Sequence, residues 1–300
     1  VLDATQLVLL KAEGMRTYQR ILHPIDLERP SAEAFCHALM LALRATGYPE
    51  LKDPALLELF HCAAEVPVAF SDFPRIRQRL IRWGVLAEGA EKQEVVNLGL
   101  SIRKQIARGE VVEEIALESE ASEFDLLVMS SRARAGWNYF THPSTSASAV
   151  QNTQIPGLIF PTEALGFVHP NTGAINLNKI LVPITHEPDG WPALQAVARL
   201  LLTLKPGQPG EAMLIYAGNA QDFPEYSLPP LPEGWLWTRK TLAGEPVQVI
   251  GDWAGEWEPQ LTAVSSAGQK NWKDRWFGST SEHLLRRIHC PMLVAPCEHF

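Results

Sequence analysis

The chain has 300 residues, a hydrophobic fraction of 46% and a formal net charge of −8. That length exceeds a typical single domain and predicts two, each able to bury a core. The acidic balance argues against a nucleic-acid or anionic-membrane partner, since both favour clustered Lys and Arg. No apolar run approaches the ~20 residues a membrane-spanning helix needs.

The opening "VLDATQLVLLKAEGMRTYQR" has a short apolar patch but no basic segment before it and no small-residue cleavage site. No secretory signal is expected there, and residues 1–14 are expected to form an N-terminal extension. Strands are then predicted near 19–25, 56–64, 95–105, 124–130 and 156–161, and helices near 31–46, 72–87, 110–122 and 144–153. The helix at 31–46 shows its causes. Ser31 can cap it, Glu33 lies in its first turn, Phe35, Leu39 and Leu43 share a face, and Gly47 ends it. Continuous apolar runs such as "LLELF" and "DLLVM" suit a sheet buried on both faces. The β–α alternation implies parallel pairing with right-handed crossovers. Residues 162–176, "TEALGFVHPNTGAIN", are rich in turn formers and read as a linker.

Beyond it the pattern repeats. "YQRILHPIDLERPSAEAFCHALMLAL" (18–43) and "LNKILVPITHEPDGWPALQAVARLLL" (177–202) align without a gap. "DLLVMSS" (125–131) matches "QLTAVSS" (260–266), and the closing strands "IPGLIFP" (155–161) and "CPMLVAP" (290–296) correspond. The expected organisation is therefore a first domain at 15–161 and a second at 177–300, each a doubly wound, Rossmann-like α/β unit. Each would hold a five-stranded parallel sheet in the order 3-2-1-4-5.

A first strand ending in Pro-Ile-Asp, a fourth strand entering a G-x-x-G-x9-G-[S/T] loop, and a last Cys-Pro-x-Leu-Val strand resemble the universal stress protein family. The resemblance covers nearly all of 18–161 and 178–297 and makes the chain a tandem member. In nucleotide-binding relatives it implies ATP across the carboxyl ends of the strands, where open α/β sheets place ligands. The aspartate after strand one lies beside the nucleotide. The glycine loop and the helix start that follows hold the phosphates, because glycine admits close backbone and free amides attract anions.

The two copies divide these parts between them. The first keeps Asp26, but in "SSRARAGWNYFTHPST" the glycine positions are Ser130, Ala133 and Pro143, with Ser144 retained. Proline lacks an amide hydrogen and stiffens the loop, so this site is expected to be degenerate, with Arg132 and Arg134 as residual cations. The second copy has Ser265, Gly268, Gly278 and Ser279, with Thr185 in place of the aspartate and Lys270, Lys273 and Arg275 in the loop. Trp272 and Trp276 read as cover for the sheet or a neighbouring domain. Ser279-Thr280-Ser281-Glu282 is also a capping box, so Ser279 and Thr280 would serve the helix start with or without a ligand. The candidate cofactor is ATP in the second domain, with no metal beyond the Mg2+ accompanying a nucleotide.

Other chemistries lack their residues. The nine histidines show no H-x-x-H pattern, His61 reads as a hydrogen-bonded strand residue, and no Walker-A or G-x-S-x-G sequence occurs. Cys36, Cys62, Cys290 and Cys297 form no C-x-x-C pair, and Cys290 and Cys297 with His289 and His299 match no zinc spacing. A reduced, cytoplasmic protein is expected. ATP-pyrophosphatase enzymes carry a Ser-Gly-Gly-x-Asp-Ser loop after strand one, where this chain has "DLERPS" and "THEPDG". The reading is a non-catalytic stress-response protein. Its alternatives are an interaction module with decayed pockets and a slow ATPase. Its partners are an adenine nucleotide, the second domain as an intramolecular pseudo-dimer joined through the closing strands, and a second copy as a homodimer.

Overall fold

The computed structural model describes residues 16–47, 54–63, 68–134, 145–162, 164–266 and 290–297. The first half runs β1 (Arg20–Pro24), α1 (Ala32–Ala45), β2 (Ala55–Cys62), α2 (Ile76–Arg82), α3 (Lys92–Asn97), β3 (Leu100–Ala107), α4 (Val111–Ala121), β4 (Leu126–Arg134), α5 (Thr145–Thr153) and β5 (Gly157–Thr162). The second runs β6 (Lys179–Pro183), α6 (Trp191–Leu204), β7 (Gly210–Ala217), β8 (Trp235–Leu242), α7 (Pro246–Trp257), β9 (Leu261–Ser266) and β10 (Met292–Pro296).

The ten strands among the described residues form one sheet, ordered β3-β2-β1-β4-β5-β10-β9-β6-β7-β8. Each half thus has the expected order 3-2-1-4-5 with parallel pairs throughout. The halves meet where β5 and β10 pair antiparallel, Leu158 opposite Leu293. Strand alternation sorts the core onto two faces. Ile21 packs under α1 and α6, where Phe35, Leu39, Leu194, Val197 and Leu201 belong to one continuous cluster spanning both halves. Leu22 points the other way, into a cluster with Ile115 of α4 and Val150 of α5. Side chains of α7 cover Leu181 and Ile215 on that same side. Each fully buried aliphatic side chain contributes about 1.5–3 kcal/mol.

Three boundaries depart from expectation. The helix placed at 72–87 is a 3-10 turn at Phe70–Asp72 followed by the short α2, which Gly84 ends at φ +70. The strand placed at 95–105 begins at Leu100, because Lys92–Asn97 is helical. The Glu91 amide donates to Glu94 Oε1 at 2.9 Å, and Gly99, at φ +77, turns the chain into β3. β4 continues through Arg134, with its register on β5 shifting between Ser131 and Arg134, so Ala133 lies in a bulged strand end.

The segment from Ala164 to Leu177 is packed rather than free-standing. Phe167 and Val168 are buried, and the Val168 amide donates to His37 Nε2 at 2.9 Å. The Pro170 carbonyl accepts from Arg79 at 2.6 Å and from Trp83 Nε1 at 2.9 Å. Gly166 is required here, since a Cβ would lie 2.1 Å from the His37 ring.

Candidate functional site

Parallel strands present their carboxyl ends together, and in the first half these ends open a cleft of about 990 Å3. Asp26 and Arg29 lie on its β1 side, His61 and Cys62 at the end of β2, Ser130 on β4, and Thr162 on β5. Asp26 Oδ1 accepts from the Glu28 amide at 3.1 Å and its carbonyl from the Arg29 amide at 3.2 Å, shaping the turn that leads to Ser31. Ser31 Oγ then accepts from the Ala34 amide at 3.2 Å and caps α1 as expected.

His61 Nδ1 lies 2.8 Å from the Ile25 carbonyl. A carbonyl can only accept, so Nδ1 donates. The half-buried imidazole is a hydrogen-bonded strand residue that also lines the cleft. Cys62 donates to the Gly109 carbonyl at 3.3 Å, and burial pushes its thiol up, away from thiolate reactivity. Thr162 Oγ1 donates to the Ser131 carbonyl at 3.0 Å. Burial raises the Glu33 carboxyl as well. Ile25, Phe60, Ile115, Met129 and Phe160 give the walls apolar surface, and Thr145 and Ser146 add polar groups. The cleft has the size and lining of a small-molecule site, which typically holds 300–1,000 Å3.

The second half closes the equivalent place with its own side chains. Its cavity, lined by Thr185, Gly190, Tyr216 and Ser265, is about 90 Å3. Tyr226, from the long β7–β8 connection, accepts from the Gly190 amide at 3.0 Å and donates to the Thr185 carbonyl at 3.3 Å. Thr185 Oγ1 donates to the Glu187 carbonyl at 2.9 Å. Gly190 has no capping side chain of its own, and Ser265 supplies the cap across the sheet, accepting from the Ala193 amide at 3.1 Å. Thr185 and Ser265 are thus brought together, both engaged by the protein. Beyond Tyr226 the rim is acidic, with Asp189, Asp222 and Glu225.

Gly268, Gly278, Ser279 and Thr280 lie outside the described residues, as do Pro143, Ser144, the loop cations at 270, 273 and 275 and the tryptophans at 272 and 276. Among the described residues no three His, Cys, Asp or Glu side chains gather to hold a metal. Cys290 instead contacts Thr262 Oγ1 at 3.3 Å, and Cys297 donates to the Asp189 carbonyl at 3.7 Å. Sequence reasoning missed the Tyr226 plug. Its signal was one tyrosine in the non-periodic stretch "NAQDFPEYSLPPLPEG".

The model of the Universal stress protein family matches residues 17–161 and 236–296, more than half of the chain. The chain belongs to the universal stress protein family. A solved universal stress protein from Archaeoglobus fulgidus DSM 4304 shares 18% identity and superposes with a TM-score of 0.58, over 94% of this chain and 97% of that one. A functionally unknown protein from Pseudomonas aeruginosa PAO1 shares 14% identity with a TM-score of 0.55, over 95% and 94%. At such identities the likeness is one of fold, and it extends across both halves of a tandem universal stress protein. No curated protein sequence matches the chain. Among the described residues no helix is long and apolar enough to cross a membrane.

Proposed function

We propose that this universal stress protein is a non-catalytic, cytoplasmic regulatory protein whose ligand is an adenine nucleotide, seated in the first-half cleft. The observation that carries this reading is the space beside the first and fourth strands of each half: about 990 Å3 in the first half against about 90 Å3 at the equivalent place in the second, where the neighbouring concavity of about 730 Å3 is rimmed by Asp189, Asp222 and Glu225 and disfavours a polyphosphate. A nucleotide needs several hundred Å3. Asp26 stands at the cleft's rim, the apolar walls suit a base, and the raised Cys62 and Glu33 groups offer no activated nucleophile.

A second reading keeps the nucleotide in the second half, and the glycine pattern of Gly268 and Gly278 before Ser279 favours it. Isothermal titration calorimetry with ATP, ADP and AMP separates the two. The first reading expects binding that Asp26→Ala weakens and Ser130→Tyr, which puts a ring into the cleft, abolishes. Loss on Gly278→Pro with retention in those two variants moves the site to the second half. A parent chain that binds none of the three is an interaction module.

A further inference from the structure

Beside the cleft, on the outer side of the Pro30–Ser31 turn, lies a second concavity of about 340 Å3. It is lined by Ser31 and Phe35 at the start of α1, by Arg75 just before α2, and by Gln78, Arg79 and Arg82 of α2. The sequence "FPRIRQRLIR" explains the arrangement. Ile76 and Leu80 are buried in the main core, which fixes the rotation of α2. Positions 75, 79 and 82 then recur at helical spacing along the groove. At 1.5 Å per residue they extend a line of guanidinium groups over roughly 10 Å.

These arginines share the groove lining with one carboxylate, Asp72, and form no ion pair with it. Among the described residues the ion pairs join Arg103 to Glu58 and Glu118, and Arg199 to Asp125, and none reaches α2. Asp72 accepts from the Ala69 amide at 2.9 Å and the Ser71 hydroxyl at 3.4 Å, which hold its carboxylate at the edge of the groove. Arg79 gives one nitrogen to the Pro170 carbonyl, and Arg82 makes a 3.5 Å contact with Asn171 Oδ1. Like charges at this spacing destabilise a helix by a few tenths of a kcal/mol per pair. A chain of net charge −8 nevertheless gathers four arginines into residues 75–82.

We propose that this groove is an anion site that takes the phosphate or diphosphate group of a small molecule. Planar guanidinium forks match phosphate oxygens in pairs, and a row of three can grip several oxygens at once. The first amides of α1, a 14-residue helix, add positive potential from the floor. The site is separate from the cleft and does not depend on what the cleft holds.

The test is calorimetry on the full chain at low ionic strength, with inorganic pyrophosphate as probe and sulfate as comparison. Pyrophosphate should bind more tightly than sulfate. Arg75→Gln and Arg82→Gln, both exposed positions, should each weaken it about tenfold, the ~1.4 kcal/mol expected of a lost charge-assisted contact. Arg75→Lys should recover part of the loss. The proposal is overturned by absent pyrophosphate binding, by equal affinity for sulfate, or by a folded Arg75→Gln/Arg82→Gln double variant that binds like the parent.

Discussion

Arg199, on a helix of the second half, reaches Asp125 Oδ2 at 3.4 Å at the entrance to β4 of the first. The same guanidinium lies 4.1 Å from the centre of the Tyr18 ring and donates through Nε to the Arg16 carbonyl at 2.8 Å. Asp125 in turn accepts from the Gln19 amide at 2.9 Å and the Arg20 amide at 3.0 Å, and Thr203 Oγ1 accepts from the Tyr18 amide at 2.9 Å. The chain entering β1 is thus held by Asp125 of the first half and by Arg199 and Thr203 of the second.

Removing the carboxylate strands two backbone donors and a guanidinium, whereas removing the arginine strands less. Asp125→Ala should cost about 2–3 kcal/mol and Arg199→Ala about 1 kcal/mol in urea unfolding, the pair being a quarter exposed and partly screened. A double-mutant cycle should show coupling of about 0.5–1 kcal/mol. Strict additivity would mean the two side chains act separately.

Gly157 begins β5 at the joint of the halves, paired with Val294, and α5 crosses directly above it. A Cβ there would lie 2.2 Å from Val150 Cγ2, and Val150 is fully buried. Gly157→Ala should therefore force α5 outward and cost about 1–3 kcal/mol. Gly157→Ala combined with Val150→Ala should recover much of that, which thermal unfolding can follow. A neutral Gly157→Ala would show that α5 moves freely.

Acid stability should reflect three buried groups acting in opposite directions. Burial lowers His23 from 6.5 to about 4 and His37 from 6.5 to about 3. The geometry agrees, since His37 Nδ1 donates to the Glu33 carbonyl and Nε2 must stay unprotonated to accept the Val168 amide. As pH falls below 6.5 the unfolded chain takes up these protons first, so stability declines. Glu58 is the counterweight. Burial, then the nearby Glu118, raise it from 4.5 to about 7 despite its contact with Arg103. Between pH 7 and 4.5 the folded state holds the extra proton, so stability rises as pH falls. Two histidines against one carboxyl leave a net loss of about 1.4 kcal/mol per pH unit between roughly pH 6.5 and 5. Glu58→Gln should about double that slope in urea titrations. An unchanged or shallower slope would refute the assignment.

What could be read from the sequence follows from how apolar side chains are spaced. The duplicated Ile-Leu-x-Pro-Ile strand and the Phe35–Leu39–Leu43 stripe report burial directly, so strand order and the first helix emerged correctly. The errors fell where local signals competed. Val95 and Val96 favour a strand, yet the Glu91–Glu94 cap and Gly99 make that stretch a helix end. Glu58, within "LLELF", is fully buried because Arg103 and Glu118 come from elements distant in sequence. The site was harder still. Asp26, Thr185 and Ser265 sit at strand ends as the family pattern implies, but the bridge that Tyr226 makes between the Gly190 amide and the Thr185 carbonyl is marked by no periodicity.

That plug supports the last prediction. Tyr226→Phe removes the acceptor for the Gly190 amide and the donor to the Thr185 carbonyl while keeping the ring, and should cost about 1 kcal/mol. Tyr226→Ala goes further by vacating the space between β6 and the β7–β8 connection, beside the small cavity lined by Thr185 and Ser265. If Gly268, Gly278 and Ser279 retain a phosphate-binding backbone, opening this place should reveal nucleotide binding additional to that of the first-half cleft. Titration of Tyr226→Ala with ATP should then show a second binding event, and adding Gly278→Pro should remove it while leaving the first intact. The closed tyrosine would then be what keeps the second half empty. A Tyr226→Ala chain that binds ATP like the parent would place the obstacle in Thr185 or in the acidic rim of Asp189, Asp222 and Glu225, which repels a triphosphate whether or not the ring is there.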